Sequence, residues 1–128
     1  MKILGIGVDI VENKRIKKLI KNKSFLNRTF GKKEIRISNS FKNKTNYFAK
    51  RFAAKEAFVK ALGTGFRDNI NFKDISIRNN SYGKPEFVLK SSIKNKLKKK
   101  FKIKKYNFFL SISDEKKYSI AFAILAGK

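Results

Sequence analysis

Between residues 45 and 62 runs the longest helix-forming stretch of the sequence, and it ends at Gly63. Phe48, Phe52, Val59 and Leu62 recur at helical spacing with alanines between them, and a glycine just past the last apolar residue is a common left-handed cap. An 18-residue helix is about 27 Å long, which is much of the width of a domain that 128 residues can form. The remaining elements therefore have to pack around it.

Those elements alternate. Residues 2–11 carry Ile3, Leu4, Ile6, Val8, Ile10 and Val11 with Gly5 and Gly7 among them, which reads as a buried strand with Asp9 near its end. Over residues 12–21, Ile16, Leu19 and Ile20 lie at helical spacing among Arg15, Lys17, Lys18 and Lys21, a short basic amphipathic helix. Residues 24–46 are mixed, with single helical turns at 25–30 and 32–37. Strands are predicted at 75–78 and 86–89 around a turn, then a basic helix at 91–100. The chain closes in a hairpin, 108–113 and 119–125, joined by Asp114 to Tyr118. No repeat or linker divides residues 1–128, so one domain is expected. Its class is α+β, antiparallel strands packed around a long central helix.

Composition narrows the chemistry. With no Cys and no His, the chain has no disulfide, no thiol nucleophile, no ordinary zinc site and no imidazole base. Carboxylates, lysines, hydroxyls or an oxygen-ligated metal must act instead. The 33 Lys+Arg against 9 Asp+Glu give a net charge of +24, which suits a polyanionic partner such as nucleic acid, an anionic membrane or an acidic protein. Heavy use of Lys, Asn, Ile and Phe also follows from AT-rich coding sequence, so part of that charge needs no partner at all. No apolar run of about 18 residues could span a bilayer, and Asp9 and Glu12 interrupt any signal-peptide core. A cytoplasmic protein without membrane contact is expected.

Against that background the acids are informative. Asp9 ends an apolar strand, where an ion is costly to desolvate without a partner; the lesser alternative is that Asp9 or Glu12 caps the helix that follows. Glu56 projects from the long helix with Lys60 one turn on, either as an ordinary i, i+4 pair or as a second carboxylate for a shared site. Two carboxylates without His or Cys suit magnesium, which binds one or two carboxylates plus phosphates and water. Arg51 and Lys55 would then offer donors to those phosphates. The chemistry suggested is transfer of a phosphate-linked group. Gly63-Thr64-Gly65 and Gly83-Lys84-Pro85 read first as turns, and Ser111 and Ser113 as exposed alternation on a strand. The glycines of GIGVDI fit neither a dinucleotide fingerprint nor a P-loop.

Taken in order, GIGVDIVENKRI, RFAAKEAFVKALGTG, GKPEF and LSISDEKKYSIAFAIL resemble the opening strand and helix, the central helix, a turn and the closing hairpin of the holo-acyl-carrier-protein synthase family of phosphopantetheinyl transferases. The resemblance implies transfer of phosphopantetheine from coenzyme A to acyl carrier protein, for fatty acid biosynthesis. It implies that Asp9 and Glu56 hold magnesium at the coenzyme A pyrophosphate and that Lys60 reaches the phosphates. Arg51 and Lys55 would serve the coenzyme, with Arg51 at its 3'-phosphate; Gly63 falls in the central signature, and Gly83, Lys84 and Pro85 border the adenine. Arg15, Lys18, Lys21 and Arg28 would meet the acidic recognition helix of the carrier. A homotrimer with active sites between subunits is implied as well.

One position departs from the pattern. Where the family usually has His after SIS, this chain has Asp114, an anion beside an expected phosphate site. The runner-up reading is a small basic nucleic-acid-binding module, supported by the lysines of residues 98–105; it gives Asp9 and Glu56 nothing to do, and nucleic acid is not the partner expected here.

Overall fold

The computed structural model describes residues 1–63 and 70–128. Its elements run β1 (Lys2–Glu12), α1 (Asn13–Leu19), α2 (Lys23–Thr29), α3 (Lys32–Ser38), α4 (Lys44–Leu62), a 3₁₀ turn (Phe72–Asp74), β2 (Ile75–Asn79), β3 (Pro85–Leu89), α5 (Ser91–Phe101), β4 (Tyr106–Asp114) and β5 (Tyr118–Gly127). The α+β class holds, with every strand pairing antiparallel. One sheet has the order β1-β5-β4, and β2 and β3 form a separate hairpin.

Helix α4 starts and stops where its end residues require. The Asn43 side chain accepts the Asn46 N–H at 2.9 Å, and Gly63 takes a left-handed φ of 75° while its N–H donates to Lys60 O. The expected apolar stripe turns out to be most of the helix circumference, since Tyr47, Ala49, Ala53, Ala54, Ala57, Phe58 and Ala61 are buried as well. Small alanines permit this. They let backbones approach from several sides, so α4 runs between the three-stranded sheet, the short helices and the β2–β3 hairpin.

Two apolar clusters lie along α4. Phe25, Phe30, Phe48 and Phe52 fill the one nearer its N-terminus, beneath α1 and α2. Phe58, Val59 and Leu62 meet Ile93 and Leu97 of α5 in the other. There Phe58 stacks on Phe108 at 4.4 Å and meets Phe87 edge-on at 5.1 Å, joining the β2–β3 hairpin to the main sheet through rings. The fully buried Phe58 contributes about 1.5–3 kcal/mol by leaving water, and the partly buried Phe87 and Phe108 less.

Strand β1 corrects one expectation. Gly7 and Val11 are buried on the face toward α4, but Ile6, Val8 and Ile10 on the other face are 53–60% exposed. Their neighbours across the ladder, Ile124, Phe122 and Ile120, extend the same face, and Phe109 is half exposed beside them. The strand reads as buried on both faces because both are apolar, yet within the chain only one is covered.

Candidate active site

The site is set by how closely β1 lies on α4. A Cβ added to Gly7 would overlap Ala57 O and come within 2.7 Å of Ala61 N, and one added to Gly5 would overlap Ala61 O. Only glycine permits this backbone-on-backbone contact. Two residues beyond Gly7 on the same face, Asp9 is therefore held against the turn of α4 that carries Glu56 and Lys60.

There the three side chains meet. Lys60 Nζ donates to Asp9 Oδ1 at 3.1 Å and to Val8 O at 3.0 Å, with Lys60 half exposed and the Asp9 side chain largely covered. Burial pushes the Glu56 carboxyl above the ordinary carboxylate range, and the Asp9 charge pushes it further, while Lys60 and Arg15 pull it back. Two carboxylates thus repel across a site that already attracts one cation. Arg15 also lies over the Phe52 ring, 5.9 Å from its centre, so its charge serves Glu56 as well as the α1 surface.

The donor set fits magnesium. Asp9 and Glu56 are hard oxygen donors, and the like-charge strain on Glu56 is what a divalent cation relieves. Among the described residues no three acidic, His or Cys side chains cluster to make an all-protein cage. An ion there would need further oxygens from phosphates and water, as magnesium sites commonly do.

Other expected residues divide. Lys55 corrects the sequence reading, because it is fully buried and not a free phosphate donor. Its ammonium donates to Glu34 Oε1 at 2.6 Å, Thr29 O at 2.9 Å and Phe72 O at 2.9 Å, which uses all three protons. Glu34 had drawn no attention in the sequence, since it sits 21 residues away and no periodicity links the two. Arg51 is buried too, its guanidinium 3.7 Å from the centre of the Tyr47 ring, but its Nε has no partner. It borders a cavity of ≈ 400 Å³ shared with Phe41 and Arg78. Thr64 and Gly65, the end of the central signature, lie outside the described residues.

Gly83, Lys84 and Pro85 stand apart from Asp9. Asn80 Oδ1 accepts from the N–H groups of Tyr82 and Lys84, and Gly83 turns with φ of 82°. Lys84 and Pro85 then line a groove with Phe109, Ser111, Phe122 and Ile124, on the outer face of the main sheet. The carboxylates lie on its inner face. Lys18, Lys21 and Arg28 are exposed, Arg28 bonded to Ser24 Oγ at 3.2 Å. Asp114 accepts from Asn46 Nδ2 at 2.6 Å, which ties the end of β4 to the first turns of α4.

A strand on a helix, two acids and a lysine, with an antiparallel sheet behind, define a class. A family model described as the 4'-phosphopantetheinyl transferase superfamily matches residues 5–123. The chain belongs to that superfamily. Within it, the chain is 60% identical to the holo-[acyl-carrier-protein] synthase of Pelagibacter ubique over the full length of both. Its structure resembles the crystal structure of holo-[acyl-carrier-protein] synthase from Neisseria meningitidis, with a TM-score of 0.87 at 39% identity over 98% of this chain and 99% of that one. It also resembles the Bacillus anthracis enzyme in complex with CoA (3',5'-ADP), with a TM-score of 0.78 at 34% identity over 96% of each chain.

Proposed function

We propose that this chain transfers phosphopantetheine from coenzyme A to a serine of apo-acyl carrier protein and releases adenosine 3',5'-bisphosphate. The observation that carries the reading is the meeting of Asp9, Glu56 and Lys60 across the glycine contact of β1 with α4. Asp9 and Glu56 would hold magnesium, which when bound supplies positive charge to the pyrophosphate. Lys60, half exposed, can turn from Asp9 to the phosphates and stabilise the leaving group. The Glu56 carboxylate, made more basic by burial and by the Asp9 charge, is suited to take the proton of the serine hydroxyl as its oxygen attacks the β-phosphorus and the pyrophosphate bridge breaks.

Arg51 is assigned to the 3'-phosphate on the strength of its unused Nε and the basic lining of its cavity. The α1 cations Arg15 and Lys18, with Lys21 just past the helix and Arg28 of α2, are assigned to the acidic carrier. The carrier is assigned to fatty acid synthesis, and the site of action to the cytoplasm; among the described residues no helix is long and apolar enough to cross a membrane.

A homotrimer with sites between subunits completes the reading. Two observations support it: the exposed Ile6, Val8, Ile10 and Phe122 face, and the placement of Lys84 and Pro85 on that outer face rather than beside Asp9. A neighbour packed on the face would cover it, and apolar area of this kind favours a protein partner over water.

Mass spectrometry of an apo-acyl carrier protein incubated with coenzyme A, magnesium and this protein tests the activity. A phosphopantetheine adduct that is absent with EDTA and restored by magnesium is expected. An unmodified carrier in all lanes would overturn the assignment.

A further inference from the structure

Helix α1 has only seven residues and one fully buried apolar side chain, Ile16. A helix so short, held by one anchor, could roll about that side chain. Its N-cap residue, Glu12, makes no side-chain bond to it. The second anchor is Asn13, the first residue of the helix and 8% exposed. Its N–H donates to Lys117 O at 2.8 Å, and its Nδ2 donates to Glu115 O at 2.9 Å and Lys116 O at 3.1 Å. Its Oδ1 accepts from the buried Ser119 hydroxyl at 2.8 Å.

Every polar atom of that side chain is used, and all its bonds go to the turn between β4 and β5 and to Ser119 in the first residues of β5, about a hundred positions along the chain. The Ser119 bond orients the amide so that its NH₂ faces the turn carbonyls. Because β1 passes into α1 with no residue between them, the angle at Asn13 sets the direction of the whole helix. The tie also gathers charges: Lys14 and Lys17 of α1 line one cleft with Lys116, Glu115 and Asp114 at the turn. The neutral hydrogen bonds of Asn13 hold that arrangement, so that Arg15, Lys17 and Lys18, all exposed, keep one orientation.

We propose that Asn13 is a positioning residue that fixes the angle at which α1 presents its cations to the acidic carrier protein. This rests on the reading of α1 as the carrier surface. Asn13 touches no reacting atom; it acts through Arg15, Lys17 and Lys18.

The test is steady-state kinetics of Asn13→Asp, Ser119→Ala and Lys18→Glu, with KM measured separately for carrier protein and coenzyme A. Asn13→Asp can still accept from Ser119 but cannot donate to the turn, and a rise of ~10-fold in carrier KM is expected, with coenzyme A KM within about twofold. Ser119→Ala, which loses one bond and keeps the fold if Asn13→Asp does not, raises the same parameter less. A loss that falls equally on both substrates, or no change in carrier KM in either variant, overturns the positioning role. If Lys18→Glu also leaves carrier KM unchanged, α1 is not the carrier surface, and the reading beneath the proposal fails with it. If Lys18→Glu raises carrier KM while the Asn13 and Ser119 variants do not, only the positioning role is lost.

Discussion

Lys55 Nζ lies 2.6 Å from Glu34 Oε1, with both side chains buried, so α4 is tied to α3 by an ion pair that no solvent reaches. Burial alone pushes the Lys55 ammonium below the ordinary lysine range, and the Glu34 charge pulls it back. Removing either partner strands the other, and breaking such a pair costs about 3–5 kcal/mol. Glu34→Gln and Lys55→Met should each lower the urea midpoint strongly. The double variant Glu34→Leu/Lys55→Met should lose less than the two single losses combined, which a double-mutant cycle in urea measures.

Gly7→Ala probes the contact that builds the site. The added methyl meets Ala57 O and must push β1 off α4. Overpacking of this kind costs about 1–3 kcal/mol, and it moves Asp9 away from Glu56 at the same time. Activity should fall further than stability accounts for. The check is kcat at a temperature where circular dichroism shows the variant still folded; a folded variant of unchanged kcat would mean the close approach serves packing alone.

These two sites show what could be read from the sequence and what could not. Asp9 and Glu56 stood out because each is an acid among apolar residues, whereas the close approach to α4 that Gly5 and Gly7 permit is visible only in the fold. The order of the elements followed from period and punctuation, and their bounds to within about two residues, as with α4, expected over 45–62 and found over Lys44–Leu62. Lys55 was misread as a free donor because its spacing from Arg51 is local while its partner Glu34 is tertiary. The exposure of Ile6, Val8 and Ile10 was missed for a related reason: an apolar residue announces that it will be covered, not by which chain.

Glu56 carries a pH signature. Its carboxyl is raised by burial first and by Asp9 second, so in the metal-free protein it should titrate above the ordinary carboxylate value. The folded chain then holds a proton that the unfolded chain has released, so this group's contribution is fully present below the unfolded value and is lost as pH rises through the folded one. Asp9→Asn removes the repulsion and should lower the midpoint, whereas Lys60→Ala should raise it. Carbon-detected NMR of the Glu56 carboxyl without magnesium reads all three. A midpoint that ignores both substitutions would mean the groups are not coupled.

Asp114 has a partner of its own in Asn46, at 2.6 Å. The bond is exposed, so its loss should cost no more than about 1 kcal/mol. Asp114→His retains an acceptor for Asn46 and removes an anion from beside an expected phosphate site, so coenzyme A KM should stay level or fall. Asp114→Ala removes both. A large loss of activity in Asp114→His, with coenzyme A KM raised, would show that the carboxylate itself is needed there.

The outer face of the sheet gives the last prediction. Val8 and Phe122 pair across β1 and β5 in the middle of that face, both exposed, with Ser111 next to Phe122 on β4. A charge introduced there stays in water in a lone chain, at little cost to the fold. Between subunits it would be desolvated without a partner, which costs several kcal/mol. Val8→Asp should therefore convert a trimer to a folded monomer in light scattering, with its thermal transition dependent on protein concentration no longer. If sites lie between subunits, the same variant should be inactive although Asp9, Glu56 and Lys60 are untouched. A monomeric Val8→Asp with full activity would place the whole site within one chain.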